Sequence, residues 1–320
     1  MYAYTMELSF DILRKNGWCG MIIPLSGIST ERMIDLQDYL KKQSERLFMS
    51  NYSGDAHPAV LFNGSQLRLS IFVMNRGDSK RIFSTNYLRW YSQARPDLFP
   101  KITYCTADAY TIASSVPKIG NPLDISILGK ISNNQKKLTR YFDSYAKHTF
   151  YYHNAPIFWV RAFTFAPYFW NERDGEKNSM QMKLLNAETE IYRNALVAVL
   201  NSTLYFWFWL MYSDAYHLTQ RELYGFKIDI DKMSTDLLGK LDSLTNRLMN
   251  DYKNKSVIKK VNYKATGKVE YQEIDPKLSK PIIDEIDRVL AKHYGFTDEE
   301  LDFIINYDIK YRMGRDSEEE

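Results

Sequence analysis

The spacing of apolar and polar positions in the first 46 residues predicts a helix, a strand and a second helix. The first helix is predicted over residues 2–15 and a buried strand over residues 17–24. Ser29 or Thr30 is the predicted N-cap of the next helix. Such an α-β-α step is typical of a layered α/β sheet with several parallel strands. We expect the other strands to come from a segment that precedes Met1.

Shorter apolar runs follow up to residue 135. Residues 59–62 and 67–74 are predicted strands, and the Asn63-Gly64 turn between them would make an antiparallel hairpin at a sheet edge. A short helix is predicted over residues 86–93, and another is predicted to start at Pro122.

The second half alternates between strand and helix patterns. Residues 140–185 are predicted to be rich in strands. A helix pair over 188–200 and 203–212, a closing strand over 225–230 and a helix over 232–253 are predicted next. The predicted C-terminal elements are a hairpin over 257–271 around Thr266-Gly267, a helix over 281–294 that ends at Gly295, a last helix capped by Thr297 and a disordered tail over 316–320.

The apolar stretch 195–212 has the length of a membrane span. Asn201, Ser202 and Thr203 interrupt it, and no basic cluster flanks either end. This pattern favours a buried helix pair that is broken near Asn201, and we predict no membrane partner.

Charge is distributed unevenly along the 320 residues. Residues 76–161 contain 13 basic and 5 acidic residues, a balance of +8, whereas residues 276–320 contain 7 and 12, a balance of −5. Between residues 141 and 170, 13 of 30 side chains are aromatic. Basic residues interleaved with aromatic ones are typical of a nucleic-acid groove, although packed strands give the same alternation and most of these rings are predicted to be core.

Few residues offer chemistry of their own. The five histidines have no ligand spacing, and neither Gly-x-Ser-x-Gly nor a phosphate-binding loop is present, so we predict no catalytic residue and no metal site in this chain. The two cysteines are not in a Cys-x-x-Cys pair, and no signal peptide pattern is present. We therefore predict a reducing, cytoplasmic location.

Four stretches together resemble one family. They are residues 10–24, with the helix, Gly17 and the strand; residues 58–71 around Asn63-Gly64; residues 194–207 with Leu200-Asn201-Ser202-Thr203-Leu204; and residues 293–312. The chain resembles the C-terminal half of adenine-specific (N6) DNA methyltransferases, especially the type IIG and related restriction–modification enzymes that carry a target-recognition domain.

The resemblance implies a fold that is α/β plus α+β. Residues 1–85 would be the C-terminal remnant of a Rossmann-like methyltransferase sheet, residues 86–232 a mixed target-recognition domain, and residues 233–320 a helical tail. The family binds S-adenosylmethionine with a glycine-rich loop and holds the flipped adenine with an Asn-Pro-Pro-Tyr type of loop. Both motifs are absent from this sequence. The expected partners are double-stranded DNA and a separate N-terminal methyltransferase half.

Candidate site residues follow from this resemblance and from the basic block. Phe62 stands where the family places an aromatic residue beside the target base, although a core position for Phe62 fits the sequence equally well. The DNA-binding candidates are Arg68, Arg76, Lys80, Arg81, Lys136, Lys137 and Arg140.

Two alternatives remain open from the sequence. The chain could be a non-catalytic DNA-binding specificity module, or an inactive remnant of a truncated methylase gene that exposes an apolar sheet face.

Overall fold

The computed structural model describes residues 2–54, 59–78, 80–264 and 267–314, and the chain divides into two compact units. The first contains the residues up to 132 together with 208–216 and 220–222, and the second contains the rest. The predicted turn residue Thr266 and the predicted tail 316–320 lie outside the described residues. The functions assigned to the three predicted ranges stay predictions, but the predicted boundary at 85/86 falls inside the strand Arg81–Leu88.

The first unit begins with helices around one strand and continues with four successive strands and a helix. Its elements are α1 (Tyr2–Asp11), β1 (Trp18–Pro24), α2 (Ser26–Ser29), α3 (Ile34–Gln43), β2 (Ser44–Tyr52), β3 (Leu69–Arg76), β4 (Arg81–Leu88), β5 (Cys105–Thr106) and α4 (Pro122–Ser132). The described strands of this unit form one sheet in the order β1-β3-β2-β4-β5. This confirms a mixed α/β architecture.

The strands of this sheet run in both directions. β3 lies between β1 and β2 and is antiparallel to both. Among the described strands of this sheet, β2 and β4 are the only neighbouring strands that run parallel to each other. β1, β2 and β4 therefore share one direction, and β3 runs the opposite way between β1 and β2.

The two faces of this sheet have different surroundings. On the covered face, α1 packs against the sheet, and the Phe10 ring lies 5.9 Å from that of Phe72. The open face carries Trp18, Ile22 and Val73, whose side chains stay 54%, 50% and 39% exposed. The open face also carries Phe48, whose ring stacks on Phe83 of β4 at 4.7 Å.

Two predicted elements of the first unit are wrong. Residues 59–62 form no strand, because Leu61 is buried as a loop anchor instead of pairing in the sheet. The predicted hairpin is therefore absent from the described residues, although Asn63-Gly64 does form a turn, with Gly64 at a φ of 79°. The helix predicted over 86–93 is replaced by the end of β4 and a 3₁₀ turn at Ser92–Asp97.

Short strands and longer helices follow from residue 133 onward. They are β6 (His148–His153), β7 (Ala162–Phe163), β8 (Phe169–Asn171), β9 (Gly175–Glu176), β10 (Met182–Ala187), α5 (Glu190–Asn201), α6 (Thr203–Tyr212), α7 (Gln220–Gly225), α8 (Thr235–Lys255), β11 (Val257–Tyr263), β12 (Gly267–Glu273), α9 (Lys280–Tyr294), α10 (Asp298–Ile305) and α11 (Ile309–Arg312). The described strands pair as β10-β6-β7 and as β11-β12-β8-β9. The hairpin over 257–271 and the helical C-terminal part are confirmed.

The closing strand predicted over 225–230 is wrong. Gly225 ends α7, and the strand-type pairing of Lys227 in the described chain is an isolated bridge with Lys137. Individual hydrogen bonds hold this segment in place instead of a strand ladder, such as the bond from the Ile228 amide to the Lys136 carbonyl at 2.9 Å.

The predicted helix pair broken near Asn201 is confirmed. α5 and α6 meet at Ser202 with a bend of 64°. Asn201 is 1% exposed, and its side-chain amide donates to the carbonyls of Val197 and Ala162, each at 2.8 Å. No single helix in the described ranges is long and apolar enough to cross a membrane, and the α5–α6 pair passes that test by length and composition alone.

The caps of the C-terminal helices agree with the sequence. Gly295 ends α9 in the left-handed region at a φ of 67°, which favours glycine. Thr297 and Glu300 form a reciprocal capping box at the start of α10. The start of α6 is capped by a residue that is distant in the sequence. The buried Asp287 carboxylate accepts hydrogen bonds from the backbone amides of Thr203 and Leu204 at 3.1 and 3.0 Å.

Candidate nucleic-acid interface

Phe62 lies on a loop that is held by its neighbours, between β2 and β3. Leu61 is buried in a cluster with Tyr52, Leu69, Trp90 and Leu98. The Arg95 guanidinium donates to the carbonyls of Val60 and Leu61 at 3.2 and 2.6 Å. The next side chain, Phe62, is 45% exposed. The structure thus places Phe62 on the surface of the first unit and not in its core.

The base of this loop is closed by a backbone contact that requires glycine. A Cβ atom on Gly54 would come within 2.3 to 2.4 Å of the backbone of Leu67 and Arg68, so no larger residue fits there without a shift. The Arg68 guanidinium lies 4.6 Å from the ring centroid of Tyr216, which is 55% exposed. Phe62 and Arg68 of this loop and Tyr216 from a distant part of the chain therefore belong to the same unit.

Tyr216 and Arg95 were missed by sequence reasoning. Both act on the loop through tertiary contacts, and neither stands in a recognisable motif. The cation–π contact of Arg68 with Tyr216 joins residues far apart in the chain, so no local pattern reveals it.

Arg76, Lys80 and Arg81 lie at the other end of the sheet. Arg68 precedes β3 and Arg76 ends it, and a strand of this length spans roughly 25 Å at about 3.3 Å per residue. The structure therefore does not bring Phe62 and Arg68 together with the other three candidates of the first unit.

The roles of these three cations also differ. The Arg76 guanidinium donates to the carbonyls of Phe10 and Leu13 at 3.1 and 2.7 Å, so it closes the C-terminal end of α1. Lys80 is exposed, and Arg81 is 3.4 Å from Asp108 with about half of its side chain exposed. Arg46, which sequence reasoning missed, is the register partner of Arg81 on β2.

In the second unit, Lys136 is held by carboxylates. It pairs with Asp229 at 3.2 Å and with Asp231, and Asp231 also accepts from the Tyr192 hydroxyl at 2.6 Å. The hydrogen bond from Lys136 lowers the pKa of Asp231 and raises the pKa of Lys136 itself. Lys136 thus has two carboxylate partners in its own unit, while 36% of its side chain stays exposed.

Lys137 and Arg140 remain accessible in the same segment. Lys137 is exposed, and the Arg140 side chain is 59% exposed and lies 3.6 Å from Glu188. An exposed pair at this distance contributes little to stability, so the guanidinium can exchange Glu188 for another anion.

The glycines of this sequence do not form the motif expected for S-adenosylmethionine. The chain has 14 glycines, and no two of them form a Gly-x-Gly pair. The glycine-rich loop that the resemblance assigns to the cofactor is thus not found in this sequence.

Comparison with known proteins gives a distant likeness to a solved structure. No family model matches the chain, and no curated protein matches it. Among solved structures, the chain is similar to the type IIG restriction endonuclease BpuSI, with 8% sequence identity and a TM-score of 0.32 over 97% of this chain and 48% of that one. The chain thus spans about half the length of that structure. At this score and identity the likeness carries no argument about fold or activity.

Proposed function

We propose that this chain supplies DNA engagement and target choice to a site-specific adenine-N6 DNA methyltransferase of a restriction–modification system. S-adenosylmethionine and the catalytic loop would be held by a partner methyltransferase half. The four sequence stretches that resemble the family support this assignment, and the positions of Phe62 and of the exposed cations support the role in DNA binding.

The exposed ring of Phe62 on its anchored loop is the observation that carries the proposal. An enzyme that modifies a base must take it out of the stack and hold it against aromatic or apolar side chains. Such a ring must be accessible and its backbone fixed, and Leu61 and Arg95 provide the fixed backbone. Arg68, at the end of the loop next to β3, would bind a phosphate adjacent to the flipped adenine.

The remaining cations fit contacts with the DNA backbone. Lys80 and Arg81 in the first unit, and Lys137 and Arg140 in the second, are exposed enough to reach phosphates, which position a protein on the duplex without reading its sequence. The contacts of Arg76 with carbonyls and of Lys136 with carboxylates favour a role in the fold for these two cations.

Replacing Phe62 with alanine is expected to weaken binding to a duplex with one unpaired adenine by about 10-fold, because stacking of a base on an aromatic ring contributes ~1–3 kcal/mol. Binding to a fully paired duplex of the same sequence should change by less than about 2-fold. Fluorescence anisotropy with both duplexes at fixed salt measures the two effects.

Tyr4→Ala is the matched control, because Tyr4 is an exposed ring outside the loop. It should leave both affinities unchanged. Equal losses for the two duplexes with Phe62→Ala, or no loss at all, would contradict a base-holding role for Phe62.

The isolated chain is expected not to bind S-adenosylmethionine, since the loop that would hold it is absent from the sequence. Titration calorimetry at concentrations of about 50 µM checks this. A stoichiometric heat of binding would show that the cofactor site lies in this chain after all.

Salt-dependent DNA binding without methylation, even after a partner methyltransferase half is added, would favour the non-catalytic specificity module instead.

A further inference from the structure

The β-ribbon formed by β11 and β12 in the second unit is rich in lysine. Residues 253–268 contain six lysines and no acidic residue, although they lie outside the basic block 76–161. The stretch covers the end of α8, the whole of β11 and the start of β12. Charge of one sign that is concentrated along a strand attracts a partner of the opposite sign.

β11 is open to solvent along most of its length. Among the described strands it pairs with β12 alone, and six of its seven residues are exposed. Side chains alternate along a strand, so Lys259 lies on one face of the ribbon and Lys260 on the other. The major groove of B-DNA, ~12 Å wide, admits a two-stranded ribbon of this kind.

The ribbon is fastened to the rest of its sheet at Lys268. The Lys268 amide donates to the Glu172 carboxylate at 3.0 Å, and the Glu172 amide donates to the Lys268 carbonyl at 2.9 Å. Next to this contact, Val269 of β12 is the register partner of Asn171 of β8. The side chain of Lys268 is thus presented from a fixed backbone, which reduces the ordering cost of binding.

The four lysines of the ribbon are accessible to an anion. Lys264 and Lys268 are exposed, and no described carboxylate forms an ion pair with either of them. Lys259 and Lys260 pair with glutamates of β12 at 2.9 and 2.8 Å, and exposed pairs of this kind contribute little to stability. Lysines on β11 also protect an open strand edge, but Lys264 and Lys268 lie outside β11, so edge protection does not account for them.

We propose that the β11–β12 ribbon lies in the major groove of duplex DNA and binds its phosphates. Lys260 and Lys268 share one face of the ribbon with Asn262, the register partner of Lys268. Asn262 and the 49% exposed ring of Tyr263 are then the side chains closest to the base edges. This inference rests on the proposed DNA-binding function and adds a contact surface in the region predicted only as a helical tail.

The double variant Lys264→Gln/Lys268→Gln tests the phosphate contacts. Each lost contact should reduce the slope of log K against log salt by about 0.9, so we expect a slope that is shallower by about 1.8. Binding at about 100 mM KCl should weaken by about 10-fold or more. Fluorescence anisotropy with a fully paired duplex, from about 50 to 200 mM KCl, measures both quantities on the full chain.

Two variants serve as controls for the charge. Lys240→Gln/Lys292→Gln removes two exposed lysines from α8 and α9 of the same unit, and its slope should equal that of the wild type. Lys264→Arg/Lys268→Arg keeps the charge on the ribbon and should retain the wild-type slope. All three double variants change exposed side chains, and circular dichroism should show the wild-type fold for each.

The outcomes separate this inference from the proposed function. If the wild type binds the duplex and Phe62→Ala shows its predicted loss, an unchanged slope for Lys264→Gln/Lys268→Gln overturns the role of the ribbon alone. An equal reduction in the Lys240→Gln/Lys292→Gln control would also overturn it, because the effect would then come from net charge. Binding to poly-glutamate that is as tight as to the duplex, and that is lost in the same variant, would assign the ribbon to an acidic protein instead. A wild-type chain that binds no duplex would overturn both proposals.

Discussion

Replacing Asn201 with leucine should lower the free energy of unfolding by about 3–5 kcal/mol. Leucine has a similar size but cannot bond, and the Asn201 carboxamide also accepts from the Ala162 amide at 3.3 Å and from the Tyr252 hydroxyl at 3.0 Å. A buried group that loses its partner costs ~1–3 kcal/mol. The substitution leaves two such donors, the Val197 carbonyl of α5 and the Ala162 carbonyl of β7 without this partner.

Urea unfolding followed by far-UV circular dichroism measures this loss. Asn133→Leu is the control, since Asn133 is exposed and its substitution should change the midpoint very little. A loss below about 1 kcal/mol for Asn201→Leu would show that water or a shifted backbone replaces these bonds. The bend would then not depend on the amide.

The second large effect concerns pH and Asp287. Burial raises the pKa of this carboxyl from its ordinary 3.8 to about 6, against the opposing effect of the Leu204 and Thr203 amides. The folded state thus holds the proton more tightly than the unfolded state does. As pH rises from 3.8 to about 6, the unfolded chain loses this proton first, so the contribution of Asp287 to stability falls through that window and stays constant above it.

Asp287→Asn should remove this dependence. Between about pH 4.5 and 7.5, the stability of the wild type relative to the variant should fall by about 2 kcal/mol, which follows from the two pKa values. The test is the difference between the two urea midpoint curves, because titrations shared by both proteins cancel.

Glu299→Gln serves as the reference for this experiment. It removes one exposed carboxylate from α10, and its difference curve should be flat by comparison. A flat curve for Asp287→Asn as well would mean that the capping carboxylate keeps an ordinary pKa. The α6 amides would then compensate fully for its burial.

Local signals in the sequence predicted much of the helical part correctly. Thr297, Gly295 and Pro122 act through their own helix ends, within a few residues, so their meaning can be read without the fold. The strand over 17–24 was also predictable from its continuous apolar run, but the prediction that it is buried was wrong, because Ile23 is its one buried residue and Trp18 and Ile22 stay exposed.

Pairing and side-chain partners were not predictable in this way. The run 59–62 looks like a strand, but Leu61 is one anchor in a cluster assembled from distant segments. The basic block suggested an anion-facing surface, yet Arg76 is bound to carbonyls near the end of α1 and Lys136 to two aspartates. Which cations remain accessible depends on contacts that composition does not encode.

The make-up of the first unit has a consequence for how the protein is synthesised. Lys118 is buried and donates to the carbonyls of Met211 and Ser213 at 3.1 and 2.6 Å, and Ser115 donates to that of Tyr212 at 3.2 Å. Residues 208–216 and 220–222 are thus part of a unit whose other residues end at 132. During translation, this unit cannot be completed until residue 222 has left the ribosome. A gene fragment that stops at residue 132 would encode an unfinished core, with the Lys118 ammonium deprived of both its acceptors.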